Sequence, residues 1–238
     1  MKKILSLIAT AAISISAFAG DFRNNLTFGL QIPVESVQFE ADWIDTVNKY
    51  GSKLGVTLDD QFSQKGGYVS FGYLGTDLNS GFTLKADLQA GIKWRPEHMN
   101  WLRGSKLGYG VALNLGAGYS FVRSEKYTLA VTGNFGIDFS SFDSKVSLDI
   151  GSKSYGLGDI SETQILYNAG TDISGIYHVT SHFGLFANLG IRYIFGGKIN
   201  FSGYGSTSDD TTSQINFGDL DVSGTYAIIP TLGLCITF

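Results

Sequence analysis

Strict alternation of apolar and polar residues is the feature that most limits how this chain can fold. In residues 81–94, GFTLKADLQAGIKW, one parity carries the apolar side chains and the other carries glycine and polar residues. A period of two predicts a β-strand, because successive side chains of a strand point to opposite faces. The same alternation recurs in further segments, at 25–34, 67–75, 107–121, 127–139, 163–179, 183–195 and 220–238. We therefore expect an all-β chain with eight strands.

Residues 35–65 leave a second strand count open. The stretches SVQFEADWI and KLGVTLDDQF within this segment each alternate in part. If both form strands, the chain has ten strands instead of eight.

The lengths of the strands and of their connections indicate how the strands are arranged. Strands of soluble sandwiches average about five or six residues, whereas a tilted strand needs about nine to eleven residues to cross a bilayer. Most segments here reach the longer value. Short links (76–80, 122–126, 180–182) alternate with long ones (35–66, 95–106, 140–162, 196–219). This asymmetry predicts a single antiparallel up-and-down transmembrane β-barrel, with short turns in the periplasm and long loops outside.

Aromatic residues concentrate near the ends of the apolar faces of these strands. Amphipathic rings prefer the two interfaces of a membrane, so we expect two aromatic girdles with aliphatic residues between them. The predicted girdle residues are Phe82, Trp94, Tyr119, Phe121, Tyr127, Phe139, Tyr177, Phe183, Tyr193, Phe195 and Tyr226.

The first residues have the pattern of an export signal. Lys2 and Lys3 precede an apolar run, and Ala17-Phe18-Ala19 has the small-x-small form of a cleavage site. We therefore expect a signal peptide at 1–19 and a barrel domain at 20–238.

The chain closes with GLCITF, which resembles the C-terminal assembly signal of Gram-negative outer-membrane barrels. Gly233, Ile236 and Phe238 match that pattern, whereas Leu232 stands where a polar residue is usual. In size and layout the chain is similar to small barrels of the OmpA, OmpX and OmpW kind. The resemblance implies a place in the bacterial outer membrane, with periplasmic termini, extracellular loops, and lipid and the barrel-assembly machinery as partners.

Several function classes are disfavoured by composition and motifs. The formal net charge is −4 and there is no basic run, so we expect no nucleic-acid partner. His98 lies beside Glu97, but no G-x-S-x-G motif occurs, and we expect neither an enzyme nor a cofactor or metal site.

Charged residues on the inward parity form the candidate site. They are Lys85, Asp87, Lys93, Asp138, Asp172, Arg192 and Asp221. A charge in a narrow, poorly hydrated lumen must be paired. We therefore hypothesise an ion-paired plug in which Arg192 contacts Asp172 and Asp138, while Lys93 and Asp221 lie near the outer mouth. A proton or ion path along the same residues is the rival interpretation.

Two functions remain open. The first is a structural or interaction protein that displays its loops to extracellular or host macromolecules. KINFSGYG and SQINFGD flank the polar tract STSDDTTS as a predicted hairpin, and SKVSLDI at 144–150 continues the fifth strand, so strands should project beyond the bilayer. The alternative is a narrow channel or porter for small solutes, although an eight-stranded interior is about wide enough for side chains to fill it.

Deletion of Phe238 should leave the protein in the periplasm, because the last strand carries the predicted assembly signal. Membrane fractionation combined with heat-modifiable gel mobility measures insertion. Unchanged insertion of the truncated protein would contradict the prediction.

Overall fold

The structure is a computed structural model that describes residues 22–40, 42–52, 59–95, 107–150, 153–206 and 212–238. The predicted signal peptide and the Glu97–His98 pair lie outside these residues. In the described ranges, no helix is long and apolar enough to cross a membrane.

Antiparallel strands account for most of the described chain. They are β1 (Phe22–Gln31), β2 (Val34–Glu40), β3 (Gln61–Asp77), β4 (Phe82–Trp94), β5 (Leu107–Arg123), β6 (Tyr127–Ile150), β7 (Lys153–His178), β8 (Phe183–Ser206), β9 (Thr212–Ser223) and β10 (Thr225–Thr237). A ten-residue helix, α1 (Asp42–Gly51), lies between β2 and β3.

The strands form a closed ring. From β3 to β8 each strand pairs antiparallel with the next along the chain. Closure occurs at β1, where Leu26 lies opposite Tyr73 of β3 on one side and opposite Ile236 of β10 on the other. The predicted single antiparallel up-and-down barrel is confirmed.

The ten strands make eight crossings of the ring in the described part of the chain. β1 and β2 follow β3 in one continuous register, since Gln31 pairs with Tyr68 and Val34 pairs with Lys65. The break between them falls at Pro33, which cannot donate a ladder hydrogen bond. β9 and β10 likewise follow one another along β8. The predicted extra strands of a ten-stranded barrel are not what gives this count: SVQFE lies in β2, which continues β1, and residues 53–58 of KLGVTLDDQF lie outside the described residues.

The two ends of the ring differ. Short links at 78–81, 124–126 and 179–182 join strands at one end, which also holds Phe22 and Phe238. We call this the turn end and the opposite one the loop end. The predicted alternation of short and long connections is therefore present.

Strands at the loop end are longer than the alternation predicted. β6 and β7 extend through most of the predicted loop 140–162, and β8 and β9 through most of the predicted loop 196–219. The predicted loop 35–66 contains β2, α1 and the start of β3. Beyond a bilayer no face of a strand needs to be apolar, so the sequence alternation fades before the strand ends.

The outer surface of the ring is apolar and aromatic. The residues predicted for the girdles all lie on the outward parity, and all are exposed except Trp94, which is half-buried. Tyr127 and Tyr177 stack at the turn end with ring centroids 5.3 Å apart. Tyr193 and Tyr226 do the same toward the loop end, also at 5.3 Å. This surface has the composition that a barrel presents to lipid.

Gly224 reverses the parity of the last crossing, and one predicted luminal residue is therefore wrong. In β10 the odd residues, such as Ala227, are buried, whereas at the end of β9, where side chains are described, the even residues Leu220 and Val222 are buried. Asp221 is exposed on the outer face. Pairing with β2 shifts by one residue across Gly224, which explains the reversal.

The closing seam depends on a close approach at Gly233. This residue lies opposite Gly29 of β1, and a Cβ at 233 would overlap the carbonyl oxygen of Phe28. At the turn end, Phe238 N donates to Asn24 O at 3.0 Å, which holds the last residue on the first strand. Gly233 and Phe238 are both in the predicted assembly signal.

Gly233→Ala should weaken the seam by about 1–3 kcal/mol, because the added Cβ forces β10 away from β1. Gly196→Ala is the matched control, since a Cβ there meets nothing within 4 Å. The midpoint of urea unfolding, measured for each variant refolded in detergent, reports the change in stability. Equal shifts in the two variants would show that the seam tolerates the side chain.

Candidate functional site

The lumen is lined by the polar parity of the strands, and its charged groups are buried. Six of the predicted luminal residues point inward and are at most 7% exposed, namely Lys85, Asp87, Lys93, Asp138, Asp172 and Arg192. They do not form one plug around Arg192. The structure divides them between two networks.

The lower network connects β4, β7 and β8. Lys85 Nζ lies 2.5 Å from Asp172 Oδ2, and Arg192 Nη1 lies 2.6 Å from Asp172 Oδ1. Lys85 Nζ also lies 3.3 Å from Asp87 Oδ2 and donates to Asn188 Oδ1 at 2.9 Å. Two cationic side chains and two carboxylates therefore balance one another.

The middle network is centred on Lys93, which is fully buried. Its Nζ donates to Asp138 Oδ1 at 2.7 Å and to Glu35 Oε2 at 2.9 Å. Gln64 Nε2 donates to the same Glu35 oxygen at 2.6 Å. One ammonium thus holds two carboxylates from strands on either side of it.

Asp138 was predicted to contact Arg192, and the strand register explains why it does not. Asp138 of β6 lies opposite Leu166 of β7, whereas Arg192 of β8 lies opposite Gly170. The two partners are four residues apart along β7, which corresponds to about 13 Å. Lys93 is the cation within reach of Asp138.

An upper network, formed by Arg95 and Glu162, lies toward the loop end. Arg95 Nη1 donates to Glu162 Oε2 at 2.7 Å, and Arg95 Nη2 pairs with the other carboxylate oxygen. Gln164 Nε2 donates to Glu162 Oε1 at 2.6 Å. The guanidinium lies between two rings, 4.1 Å from the centroid of Phe62 and 4.3 Å from that of Phe142. Such a bidentate, stacked arginine is strongly fixed in orientation.

Glu35, Arg95 and Glu162 were missed because each falls in a predicted loop. A signal was nevertheless present in the parity of the flanking strands. Arg95 continues the inward parity of Lys93, and Glu162 continues that of the inward residues of β7. If the predicted strands had been extended as far as the inward and outward positions keep alternating, Arg95 and Glu162 would have been placed in the lumen.

One cluster of buried apolar residues lies at the turn end, and a second one begins at the loop end. At the turn end the cluster contains Leu74, Ile176, Phe186 and Cys235. The second cluster begins at the loop end with Val37, Ile44, Phe62, Ile199, Leu220 and Val222, and it extends inward beside the charged networks to Leu166, Ile194, Ala227 and Ile229. Ile44 belongs to α1 and is 1% exposed, so the helix packs against the residues at the mouth.

The described lumen therefore contains paired charges together with buried apolar residues, which lie beside the charges and toward both ends. Every carboxylate of the three networks lies next to a cationic side chain. Among the described residues, no three His, Cys, Asp or Glu side chains are grouped so as to hold a metal ion. The charged groups of the three networks are thus ion-paired with one another, as the plug hypothesis predicted.

A groove of about 630 Å³ lies on the outer surface of the barrel wall, near the turn end of β6, β7 and β8. Gly175 and Ala187 are its small residues, and Leu129 and Leu232 flank them in the same cross-strand row. Because these side chains are on the outward parity, the groove belongs to the apolar outer surface and not to the lumen.

Lys93→Met should destabilise the protein by about 3–5 kcal/mol, because Glu35 and Asp138 both lose their cation. Arg192→Met should cost less, since Asp172 keeps Lys85. The urea midpoint of refolding into detergent measures each change. Lys65→Met, at an exposed lysine of β3, is the control, and a Lys93→Met effect no larger than the control's would refute a structural role for the middle network.

Comparison with known proteins shows the fold. No family model matches the chain, and no curated protein matches it. The solved structure of the outer membrane protein OprG from Pseudomonas aeruginosa is similar, with a TM-score of 0.51, 10% identity, and coverage of 92% of this chain and 97% of that one. A major outer membrane protein from Thermus thermophilus (TM-score 0.49, 11% identity, 89% and 99% coverage) and the outer membrane protease OmpT from Escherichia coli (0.48, 11%, 92% and 97%) are looser matches. This chain has the fold of the small outer-membrane β-barrel proteins.

Proposed function

We propose that this protein is an outer-membrane surface protein that binds an extracellular polypeptide along a projecting β-sheet and does not conduct solutes. In this proposal the turn end and both termini are periplasmic, and the loop end is extracellular. The single observation that carries the proposal is a four-stranded sheet that continues beyond the ring at the loop end.

The projecting sheet is formed by the far ends of β6, β7, β8 and β9. β5 begins at Leu107, and its last pair with β6 joins Gly108 to Phe142. β6 continues for eight more residues, 143–150, while paired with β7. At about 3.3 Å per residue, this extension is about 26 Å long.

Both outer strands of the sheet have an edge that no described strand covers. The far end of β6 pairs only with β7 among the described strands, since β5 ends below it. β9 pairs with β2 only through residues 221–223, so 212–220 have β8 as their described partner. Such edges present unpaired backbone N–H and C=O groups, on which an extended polypeptide can add a further strand.

The filled lumen supports an interaction role over the channel alternative. Three ion-paired networks and two clusters of buried apolar residues occupy it. An ion crossing this lumen would have to separate buried pairs, each of which costs several kcal/mol to break.

The binding test shortens each hairpin at a paired position. Asp143 pairs with Ser161, so residues 144–160 can be replaced by Asn-Gly, which closes a two-residue hairpin. Asn200 pairs with Asp219, so residues 201–218 can be replaced in the same way. Adhesion of bacteria displaying each variant to epithelial cells and to immobilised matrix proteins is compared with wild type.

We expect at least one shortened variant to keep heat-modifiable mobility and to lose adhesion by tenfold or more. The variant that loses adhesion identifies which edge of the sheet, that of β6 or that of β9, binds the polypeptide. If wild-type cells adhere no better than cells without the protein, or if both shortened variants adhere like wild type, the interaction role is refuted.

The lumen is tested separately in planar bilayers. Refolded wild type and both shortened variants should show no stable conductance steps, because the plug lies within the ring and not in the removed hairpins. A stable open pore in wild type would replace the closed-lumen proposal with the channel alternative.

A further inference from the structure

A chain of side-chain hydrogen bonds at the turn end of the ring passes through one histidine. His178 is the last residue of β7 and the next inward position after Ile176. Its ring therefore lies between the turn-end mouth and the apolar cluster that contains Ile176, and the residue is 6% exposed. The inference drawn from this histidine concerns the closure of the ring and does not depend on the proposed binding function.

Each nitrogen of the imidazole contacts a threonine hydroxyl. Nε2 lies 3.0 Å from Thr128 Oγ1 of β6, and Nδ1 lies 3.3 Å from Thr237 Oγ1 of β10. Thr237 Oγ1 donates to Asn25 Oδ1 of β1 at 2.8 Å, and Asn25 Nδ2 donates to Leu74 O of β3 at 3.0 Å. The chain thus links five strands and includes the β1–β10 pair that closes the ring.

The order of donors in this chain determines which nitrogen of His178 carries a hydrogen. Because the Thr237 hydroxyl donates its proton to Asn25, its oxygen accepts from the imidazole, and Nδ1 is the donor. In a neutral ring, Nε2 is then the acceptor of the Thr128 hydroxyl. A neutral His178 therefore satisfies both threonine hydroxyls.

No negative charge balances a protonated His178. Among the described residues, no carboxylate forms an ion pair with it. The titratable and charged groups on the elements around it are Arg23, Tyr73, Asp77, Arg123, Glu125, Lys126, His182, Cys235 and the C-terminal carboxylate of Phe238. Arg23 repels a positive charge on the ring, and Asp77 accepts from Asn79 N and Ser80 Oγ within its own turn. The lower network lies on the far side of the apolar cluster.

We propose that His178 is an acid-sensitive switch that loosens the closure of the ring at the turn end. A histidine in water takes up a proton below about pH 6.5, whereas here the added charge is buried beside Arg23 without a carboxylate, which is costly. The protonated Nε2 also no longer accepts from Thr128. Both costs are relieved when the ends of β7 and β10 separate and water reaches the ring. The open form therefore binds the proton more readily than the closed form, so the closure is firm above about pH 6.5 and weakens as the pH falls.

Thermal unfolding in detergent at about pH 7.5 and about pH 5.5, one unit on either side of the ordinary histidine value, tests the switch. His178→Gln removes the titration, while its amide can still donate to Thr237 and accept from Thr128. The wild-type midpoint should fall between the two pH values by about 2–5 °C more than the His178→Gln midpoint. The buried carboxylates titrate alike in both proteins, so the difference isolates His178.

His182→Gln is the matched control, since His182 is an exposed histidine of the adjacent turn. Its Nδ1 lies 3.3 Å from Thr237 O, and a protonated ring still donates to that carbonyl. The midpoint of this variant should therefore fall with pH as the wild-type midpoint does.

Hydrogen exchange in wild type locates the loosening and does not require a variant to fold. Thr237 N donates to His182 O at 3.0 Å, and Phe238 N donates to Asn24 O at 3.0 Å. The protection factors of these two amides should fall about tenfold from pH 7.5 to pH 5.5, whereas that of Leu115, in the middle of β5, should not change.

Three results would overturn the proposal. The first is an equal fall of the midpoint in wild type and in His178→Gln. The second is unchanged protection of the Thr237 and Phe238 amides at the lower pH. The third is loss of the fall in His182→Gln, which would assign the titration to the exposed histidine.

Discussion

The requirement that no backbone polar group be left unpaired in lipid governs this structure. A sheet meets that requirement in a membrane only when its first and last strands pair with each other. Here β1 pairs with β10. Asn24 of β1 and Phe238 exchange backbone hydrogen bonds at the turn end of this pair. The close approach at Gly233 and the alternation along every strand follow from that closure, because a ring has one face toward lipid and one face enclosed.

The enclosed face sets a second constraint. A ring of eight crossings leaves an interior that side chains can fill, and this chain fills it with charge. The charges are tolerable because each lies beside an opposite charge. The lumen thus has the character of a protein core whose centre is ionic.

The sequence predicted those parts of the fold that depend on lipid. The alternation is clear in most of the segments that cross the apolar layer, and the barrel class and the inward position of residues such as Lys85 and Arg192 could be derived from it. The prediction became weaker where lipid ends, since Glu35 and Glu162 lie in strands that were assigned to loops. It was wrong for Asp221, because one glycine reverses parity without a change in local composition. Ion-pair partners could not be derived, since they depend on strand stagger, which places Asp138 beside Lys93 and away from Arg192.

The parity reversal at Gly224 has a consequence for the order in which the molecule can assemble. It turns Leu220 and Val222 of the last crossing inward, where they join Ile44 of α1, a helix that belongs to the first crossing's connection. Part of the apolar cluster that contains the helix residue Ile44 is therefore supplied by the last crossing. Apolar residues from the first and the last crossing meet in this cluster, so its burial is complete only once the ring has closed.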